Sequence, residues 1–475
     1  MKKIIASLFS VAFTWLSGFS WAMEVTVYNQ NLGLIKENRS FSLKTGSNDL
    51  NVADVAAQID PTSVHFKSLT APDSVSVLEQ NFQYDLISQE KILGKYLGKE
   101  IELERFSGVG GDKREMIKGV LLSSSGGRVM QVGDKIYLNP PGNPILPKLP
   151  EGLLTRPTLL WKINSQKGGD HNCEISYLTS GMGWRSDYVL VTNPQDDQMD
   201  LNAWVTINNN SGATYKDARL KLVAGDVHRA DENRFVRDAR AKSESYATNS
   251  AVPQFTEKSF FEYHLYTLQR PTTLSENETK QIEMASAAGV PLKKLFIYDG
   301  VQNIYWGNFN EYYRTDPNYG TQGNKKVWVM LEFKNSKANH LGMPLPQGKV
   351  RVYKKDTDGA LEFIGEDAID HTPKDENLRI KMGNAFDIVG ERKRTSYQSD
   401  TRNRWFQESF EIRLRNHKES DVVVKVVEHL YRWTNWKVLD PSRSFSKKDA
   451  QTIEFEVPVK KDGESVVTYT VKYSW

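Results

Sequence analysis

The sequence predicts an all-β fold of several antiparallel β-sandwich domains, with a small SH3-like barrel-type insert. Three observations carry this prediction. Apolar and polar residues alternate with a period of two along the chain, as in Phe410-Glu411-Ile412-Arg413-Leu414-Arg415, the pattern of a strand with one face on a core and one in water. Aromatic residues make up 11% of the 475 residues, with 11 Trp and 20 Tyr, a composition suited to strands. Polar turns separate the alternating runs, and helix-period runs are scarce.

In chain order, residues 1–22 read as a signal peptide. Lys2 and Lys3 precede an apolar stretch from Ile4 to Trp21, and Ser20-Trp21-Ala22 is a small-x-small cleavage site. A retained membrane anchor is the alternative, but Ser10, Thr14, Ser17 and Gly18 interrupt the stretch and no charged stop-transfer flank follows. No Cys follows the cleavage site, which excludes a lipoprotein anchor, and no transmembrane helix is expected after signal removal. The expectation is therefore an exported protein, placed in the periplasm, on the outer-membrane surface or outside the cell. Cys173 is the only cysteine, so no intrachain disulfide can form. It reads as a small core residue. The Lys-Lys leader together with the lack of disulfides points to a Gram-negative envelope.

Residues 23–83 form an expected N-terminal β region of short strands. Residues 84–145 read as the barrel-like insert. In it, Ser88 to Leu97 is a short helix with Ile92, Leu93, Tyr96 and Leu97 on one face, followed by the alternating strand Glu100–Arg105 and the Gly108–Gly111 loop. The prolines 140, 141, 144, 147, 150 and 157 predict an extended, stiff connector. Residues 158–228 read as a sandwich portion containing the alternation Leu201, Ala203, Val205, Ile207. Residues 229–257, rich in charge, Ser and Ala, read as a mobile linker.

The remainder, 258–475, is a C-terminal sandwich region. Its inward positions include Val327, Val329, Leu331 and Phe333, and later Ile453, Phe455 and Val457. Asp358-Gly359 marks a tight hairpin. Ser275 to Ala288 has helix-forming composition between strands and stays ambiguous. The last strand alternates Val467, Tyr469, Val471, Tyr473 up to Trp475 as outer-membrane barrel strands do, but the heavily charged opposite faces elsewhere favour a sandwich.

The formal charge is +3, and +1 without Lys2 and Lys3, which gives no field for steering onto nucleic acid. Nucleic-acid partners are excluded on that ground.

Four stretches resemble a known family: Ser180-Gly181-Met182-Gly183-Trp184-Arg185-Ser186-Asp187-Tyr188, Ile207-Asn208-Asn209-Asn210-Ser211-Gly212, Leu222-Val223-Ala224-Gly225-Asp226-Val227 and Asp370-His371-Thr372-Pro373-Lys374-Asp375. The chain is similar, from about Tyr28 to Trp475, to bacterial proteins carrying the domain of unknown function 4139, whose relatives include the mucoidy-inhibitor A-like proteins. That resemblance implies a secreted or envelope β-sandwich protein, and it brings no catalytic residues with it. The long coiled coil of the mucoidy-inhibitor relatives has only the short Ser88–Leu97 segment in its place.

Few constellations suggest chemistry. Asp170-His171-Asn172-Cys173 supplies two plausible zinc ligands at an unusual spacing and reads better as a polar turn after Lys167-Gly168-Gly169. His371 with Asp367, Asp370 and Asp375 suggests a cation or acid/base site, against a hydrogen-bonded turn before Pro373. Asp356 and Asp358 are explained by a hairpin tip. No HExxH, GxSxG or paired CxxC is present, and Gly108-Val109-Gly110-Gly111 lacks the Lys-Ser/Thr pair of a phosphate loop. No metal or cofactor is expected.

Aromatic clusters are the most suggestive feature: Tyr305, Trp306, Phe309, Tyr312, Tyr313 and Tyr319 among amides and carboxylates, and Tyr431, Trp433 and Trp436. Of these, Trp306, Tyr312, Tyr313, Tyr319, Trp433 and Trp436 are the candidate ligand-binding residues, since flat rings stack on sugars or anchor a protein partner; packing within the sheets is the alternative. The run Arg392-Lys393-Arg394 with Arg402 and Arg404 reads as a solvated hairpin loop or a contact for anionic lipid or polysaccharide.

The expected function is a non-catalytic binding or assembly module for a surface glycan or envelope protein. The alternative is a hydrolase of envelope polysaccharide or peptide that uses carboxylates beside the aromatic platforms. Ligand and oligomeric state are not encoded in any motif.

Overall fold

The computed structural model describes residues 23–475 apart from 85–86, 108–112, 155, 226, 228–253, 302–315, 319 and 322. The signal peptide, most of the 229–257 linker, the Gly108–Gly111 loop and the candidates Trp306, Tyr312, Tyr313 and Tyr319 lie outside the described residues. Among the described residues nearly all regular structure is strand, in five sheets, and the chain divides into two compact units. One comprises Met1–Trp184, Ile207–Val223 and Tyr266–Lys280, the other Arg185–Thr206, Ala224–Leu265 and Gln281–Trp475.

In the first unit, Met23–Tyr28 turns through Asn31, whose φ is 52°, into Leu32–Leu43, pairing Val25 with Ile35. Leu32–Leu43 pairs in turn with Gly169–Thr179, and Met23–Tyr28 lies parallel to Tyr215–Ala224. A three-stranded sheet, with Thr158–Ser165 between Gly46–Ala53 and Val75–Gln83, faces this one: the Phe66 and Trp161 rings meet at 5.1 Å. Val25, Ile35, Trp161, Ile163, Ile175, Tyr177 and Leu220 are buried between them. The Asp170–Cys173 stretch, expected as a turn, is instead the start of Gly169–Thr179, because Gly169 with its positive φ of 118° ends the turn.

The insert is a sheet in the order Asn143–Ile145, Glu100–Ser107, Lys113–Ser123, Val129–Val132, Lys135–Leu138. It is open rather than a closed barrel, since its two outermost strands have no pairing with each other. The expected helix spans Gln89–Lys95, where the Ser88 hydroxyl caps it by accepting from Lys91 N at 3.2 Å. Its Leu93, with Tyr96, covers Ile101, Leu103, Leu121 and Met130. The start of the proline-rich connector is thus itself an edge strand, with Asn143 opposite Glu104.

The second unit holds a five-stranded and a nine-stranded sheet. The smaller runs Glu278–Pro291, Gln198–Asn209, Met182–Thr192, Gly348–Lys355, Leu361–Ile369, so the ambiguous 275–288 stretch is strand from Glu278 onward, after a turn at 276–277. Asp358-Gly359 turns the expected hairpin: Asp356 N donates to Ala360 O at 2.8 Å, and Gly359 has φ 89°. The larger sheet runs Trp436–Leu439, Gly463–Ser474, Trp405–Asn416, Asn377–Asp400, Lys326–Lys334, Lys293–Asp299, Val422–His429, Thr452–Val459, Ser446–Lys447. It rolls over on itself, so that Phe455 near one end of this order meets Tyr469 near the other at 5.7 Å. The rolled interior holds Phe406, Phe410, Ile412, Leu414, Val424, Val426, Val457, Val467 and Tyr473. The alternating aromatic face of the last strand is therefore core, and the outer positions between its residues are Thr468, Thr470 and Lys472.

Two glycines test this packing with opposite signs. A Cβ on Gly390 would collide with the Tyr298 ring, whereas one on the helical Gly94 would meet nothing within 4 Å. Gly390→Ala is expected to lower unfolding free energy by about 1–3 kcal/mol through overpacking. Gly94→Ala is expected to raise it by about 0.5–1 kcal/mol through the unfolded chain's lost freedom. Urea titration of each variant checks both.

Candidate functional site

The second unit buries charge. On Asn377–Asp400 the core-facing positions run Ile388, Gly390, Arg392, Arg394, and on Trp405–Asn416 they run Phe406, Glu408, Phe410, Ile412. On Val422–His429 they run Val422, Val424, Val426, Glu428. Strand alternation thus delivers two guanidiniums and two carboxylates into an apolar interior. Arg432, just past the last of these strands, adds a third guanidinium and is fully buried.

The groups neutralise one another. Arg392 Nε lies 3.0 Å from both oxygens of Glu428, which also accepts from the Tyr469 hydroxyl. Arg432 grips Glu408 with two parallel bonds, Nε to Oε2 and Nη2 to Oε1, each 2.8 Å, the fork geometry that makes arginine pairs strong. Arg394 Nη1 adds a third bond to Glu408 at 3.1 Å. Aromatic faces supply the rest of the solvation: the Arg392 Cζ lies 3.8 Å from the Phe410 centroid, and that of Arg432 lies 5.5 Å from both Phe406 and Tyr397. Three positive charges against two negative leave an excess, and backbone carbonyls face it. Gly320 O accepts from Arg392 Nη1 at 3.2 Å, and Asp316 O accepts from Arg432 Nη1 at 2.8 Å.

Burial works against the Arg392 charge, but Glu428 outweighs it and holds the guanidinium above its ordinary range. Arg432 is raised in the same way, with Glu408 overcoming burial. Burial, then the Glu428 and Glu408 charges, push the Tyr469 and Tyr473 phenols well up, so both stay protonated. Both carboxylates spend their lone pairs on guanidinium and phenol donors, so this arrangement is suited to holding strands together. The solvated-loop expectation holds for Arg402 and Arg404, which lie exposed in the turn between Asn377–Asp400 and Trp405–Asn416. It is corrected for the Arg-Lys-Arg run, in which Arg392 and Arg394 are interior and Lys393 points outward, opposite Glu411.

Of the aromatic candidates, Trp433 and Trp436 both pack against the same core. Both are half-buried. Trp436 stands opposite Tyr473, donates Nε1–H to Ala450 O at 2.9 Å and carries the Lys447 ammonium 4.9 Å from its ring centroid. Tyr431 is buried, and Gly320, with a positive φ of 69°, passes so close to its hydroxyl that no side chain fits there.

The remaining candidates are structural. His171 is buried, with Nε2 on Lys167 O at 3.0 Å and Nδ1 on Ser68 Oγ at 2.9 Å; the carbonyl requires a proton on Nε2, so Nδ1 accepts from the serine. Cys173 is buried, and burial raises its thiol to about 11. His371 Nδ1 accepts from Gln347 N at 3.1 Å, and Asp367, within the Leu361–Ile369 strand, accepts from Ala368 N and Lys381 N. Thr372 exchanges backbone bonds with Leu345 at 2.8 Å and Asp375 N donates to Asn335 O at 2.6 Å, so the Asp370–Asp375 stretch is held by a bridge to a neighbouring segment. Asp356 and Asp358 accept from amides of their own hairpin tip. Among the described residues, no group of His, Cys, Asp or Glu could hold a metal ion.

A cavity of about 570 Å³ opens between the 193–200 loop and this hairpin, with Asn193, Asp200, Gly289 and Lys355 on its walls. Nearby, Asp196 is clamped by Lys294 at 2.8 Å and Lys354 at 2.7 Å. Burial would raise its carboxyl, and the two ammoniums bring it below its ordinary value instead.

In the first unit two of the motif stretches meet. Gly181, φ 81°, accepts a backbone bond on its carbonyl from Asn210 N at 2.7 Å, and its own N donates to Asn31 Oδ1 at 3.0 Å. Gln58 closes the knot from a third segment: its N donates to Ser211 O and its Nε2 to Asn210 O. Asn209 Nδ2 reaches the carbonyls of Ala213, Leu274 and Ser275, and Trp184 Nε1 donates to Val223 O at 3.1 Å.

Fold and site together define a multi-sheet all-β protein whose distinctive motifs build backbone junctions and whose buried arginines and glutamates in the second unit are paired. The chain belongs to the family described as Domain of unknown function (DUF4139), whose model matches residues 173–475. All four motif stretches fall inside that match. No curated protein matches the chain.

The ion pairs generate a sharp expectation. Glu428→Gln leaves Arg392 buried without a counter-charge and should cost about 3–5 kcal/mol. Replacing both members, Arg392→Met with Glu428→Leu, should recover most of that loss. A double-mutant cycle from urea denaturation measures the coupling; equal losses in the single and double variants would show that the pair is not the source.

Proposed function

We propose that this chain is an exported, non-catalytic binding or assembly module of a bacterial cell envelope, and that its partner is another protein. The observation that carries this reading is an apolar surface on the second unit. Leu361 and Phe363 are more than half exposed, Ile364 is also exposed, and Phe386 is 96% exposed on the neighbouring strand. The two strands run alongside each other, since Lys381 N donates to Asp367 Oδ2 at 2.7 Å and Gly365 abuts Met382. The Phe363 ring is buttressed edge-on by Tyr353 at 5.6 Å. Exposed aromatics of this kind are what a partner covers, because they bury much area at little entropy cost.

Export is supported by the Lys2-Lys3 leader and the Ser20-Trp21-Ala22 site, and no described helix is long and apolar enough to cross a membrane. A hydrolase reading asks for a carboxyl held above its ordinary value beside a second carboxylate. The carboxyls displaced among the described residues, Asp196, Glu278, Asp400, Asp421 and Asp449, are all displaced downward, so no observation favours that second reading.

Pull-down from envelope extracts with the mature chain, beside Phe386→Glu and Phe363→Glu, tests the proposal. The expected outcome is a specific protein captured by the parent and weakened about 30-fold or more by either substitution. Undiminished capture by both variants would remove the patch from the interface. A positive glycan array with an empty pull-down would overturn the protein partner in favour of a saccharide.

A further inference from the structure

The insert sheet ends in a strand whose outer side is open. Among the described residues Lys135–Leu138 pairs only with Val129–Val132. At this register Asn139 N donates to Arg128 O at 2.7 Å. Backbone groups alternate sides along an antiparallel strand, so Lys135 and Tyr137, like Asn139, turn theirs toward the neighbouring strand. The amides and carbonyls of Ile136 and Leu138 therefore point out at the edge. Asn139, with a positive φ of 48°, then turns the chain away and ends the ladder.

Edge strands are ordinarily blunted by proline, charge or a bulge. The opposite edge of this sheet, Asn143–Ile145, carries Pro144. Lys135–Leu138 has neither proline nor bulge, and its one charge stands next to the hairpin turn. Ile136 and Leu138 are 64% and 76% exposed, and Tyr137 is 44% exposed. Ile136 and Leu138 thus lie open on one face of the edge and Tyr137 on the other, a strand suited to receiving another strand beside it.

We propose that this edge pairs antiparallel with the same edge of a second copy of the chain, about a two-fold axis through Tyr137. A second copy fits because the outward groups are symmetric about that residue. Ile136 lies opposite Leu138 of the second copy, and Leu138 opposite its Ile136, so each pair exchanges both backbone bonds and no outward group is left over. With the axis on Ile136 instead, Leu138 would face Asp134 in the turn; with it on Leu138, Ile136 would face Pro140, which has no amide. The charges agree: Lys135 comes opposite Asn139, and the two copies of Lys135 stand at opposite ends of the ladder. Four residues a side bury less than the roughly 1,200 Å² of a stable interface, so the dimer is reversible and dissociates on dilution. It uses no residue of the apolar surface proposed above to bind a partner.

Sedimentation of the full mature chain from about 1 μM to about 500 μM reads the association. The parent's mass should rise toward that of two chains. Leu138→Pro removes an amide that the chain's own ladder does not use, and should need at least about tenfold more protein to dimerise. Oxidative crosslinking reads the register. Tyr137→Cys meets its own copy about 4.5 Å away and should form a disulfide-linked dimer. Ile136→Cys lies diagonal to its copy, about 7 Å or more away, and should not; the native Cys173 is buried. A parent that stays monomeric throughout would overturn the second copy and leave the edge to another protein's strand. Equal crosslinking of the two cysteine variants, or a Leu138→Pro chain that dimerises like the parent, would overturn the proposed pairing.

Discussion

Charge taken out of water sets the terms for the C-terminal unit. Arg392, Arg432, Glu408 and Glu428 are all but sealed from solvent, and each would be prohibitively costly alone. Only short, well-directed bonds between them make the interior tenable, so four strands and the Arg432 turn must arrive in mutual register. The Phe410 ring under Arg392 and the carbonyls of Asp316 and Gly320 complete the solvation that water would otherwise provide. Apolar packing around the cluster supplies most of the stability, but it is the cluster that decides which packing is acceptable.

Backbone proximity plays the corresponding part in the N-terminal unit. Gly181 leaves no room for a side chain against Asn210, and Gly212 leaves none against Ala57. The amides of Asn31, Gln58 and Asn209 stitch the same segments together. Those short motifs are thus accounted for by architecture: glycines where chains touch, amides where loose carbonyls need donors.

The strand interiors were readable in advance because one rule governs them. Phe410, Ile412 and Leu414 point inward as their spacing requires, and Ile453, Phe455 and Val457 do the same. That rule also marks the buried cluster, had it been followed through polar residues: Arg392 and Arg394 share parity with Ile388, Glu408 with Phe406 and Phe410, and Glu428 with Val424 and Val426. Charge alone suggested solvent for the Arg-Lys-Arg run, and the competing signal of parity was the correct one. Arg432 has no such signature, since it follows the end of its strand and is buried only because the sheet rolls over. The 275–288 stretch was ambiguous because its Ala and Glu residues carry helical propensity that sheet pairing overrides. Trp433 and Trp436 were legible as a cluster, but whether rings face solvent or a core depends on long-range topology.

Parity alone leaves one ambiguity that the charges resolve. Sliding Trp405–Asn416 by one residue would bring Glu411 and Arg413 inward and expose Phe410 and Ile412, an error that apolar burial penalises unaided. Sliding by two keeps every greasy residue on the inner face, and in a sheet so rich in valine and phenylalanine such a slip forfeits little packing. It would, however, carry Glu408 about 7 Å along the strand, away from Arg432 and Arg394, and leave three guanidiniums buried around one carboxylate. The pairs therefore discriminate among registers to which hydrophobic alternation is indifferent. A buried ion pair adds little net stability compared with a well-packed apolar replacement, so we take its role here to be selection of one register from several of similar apolar burial.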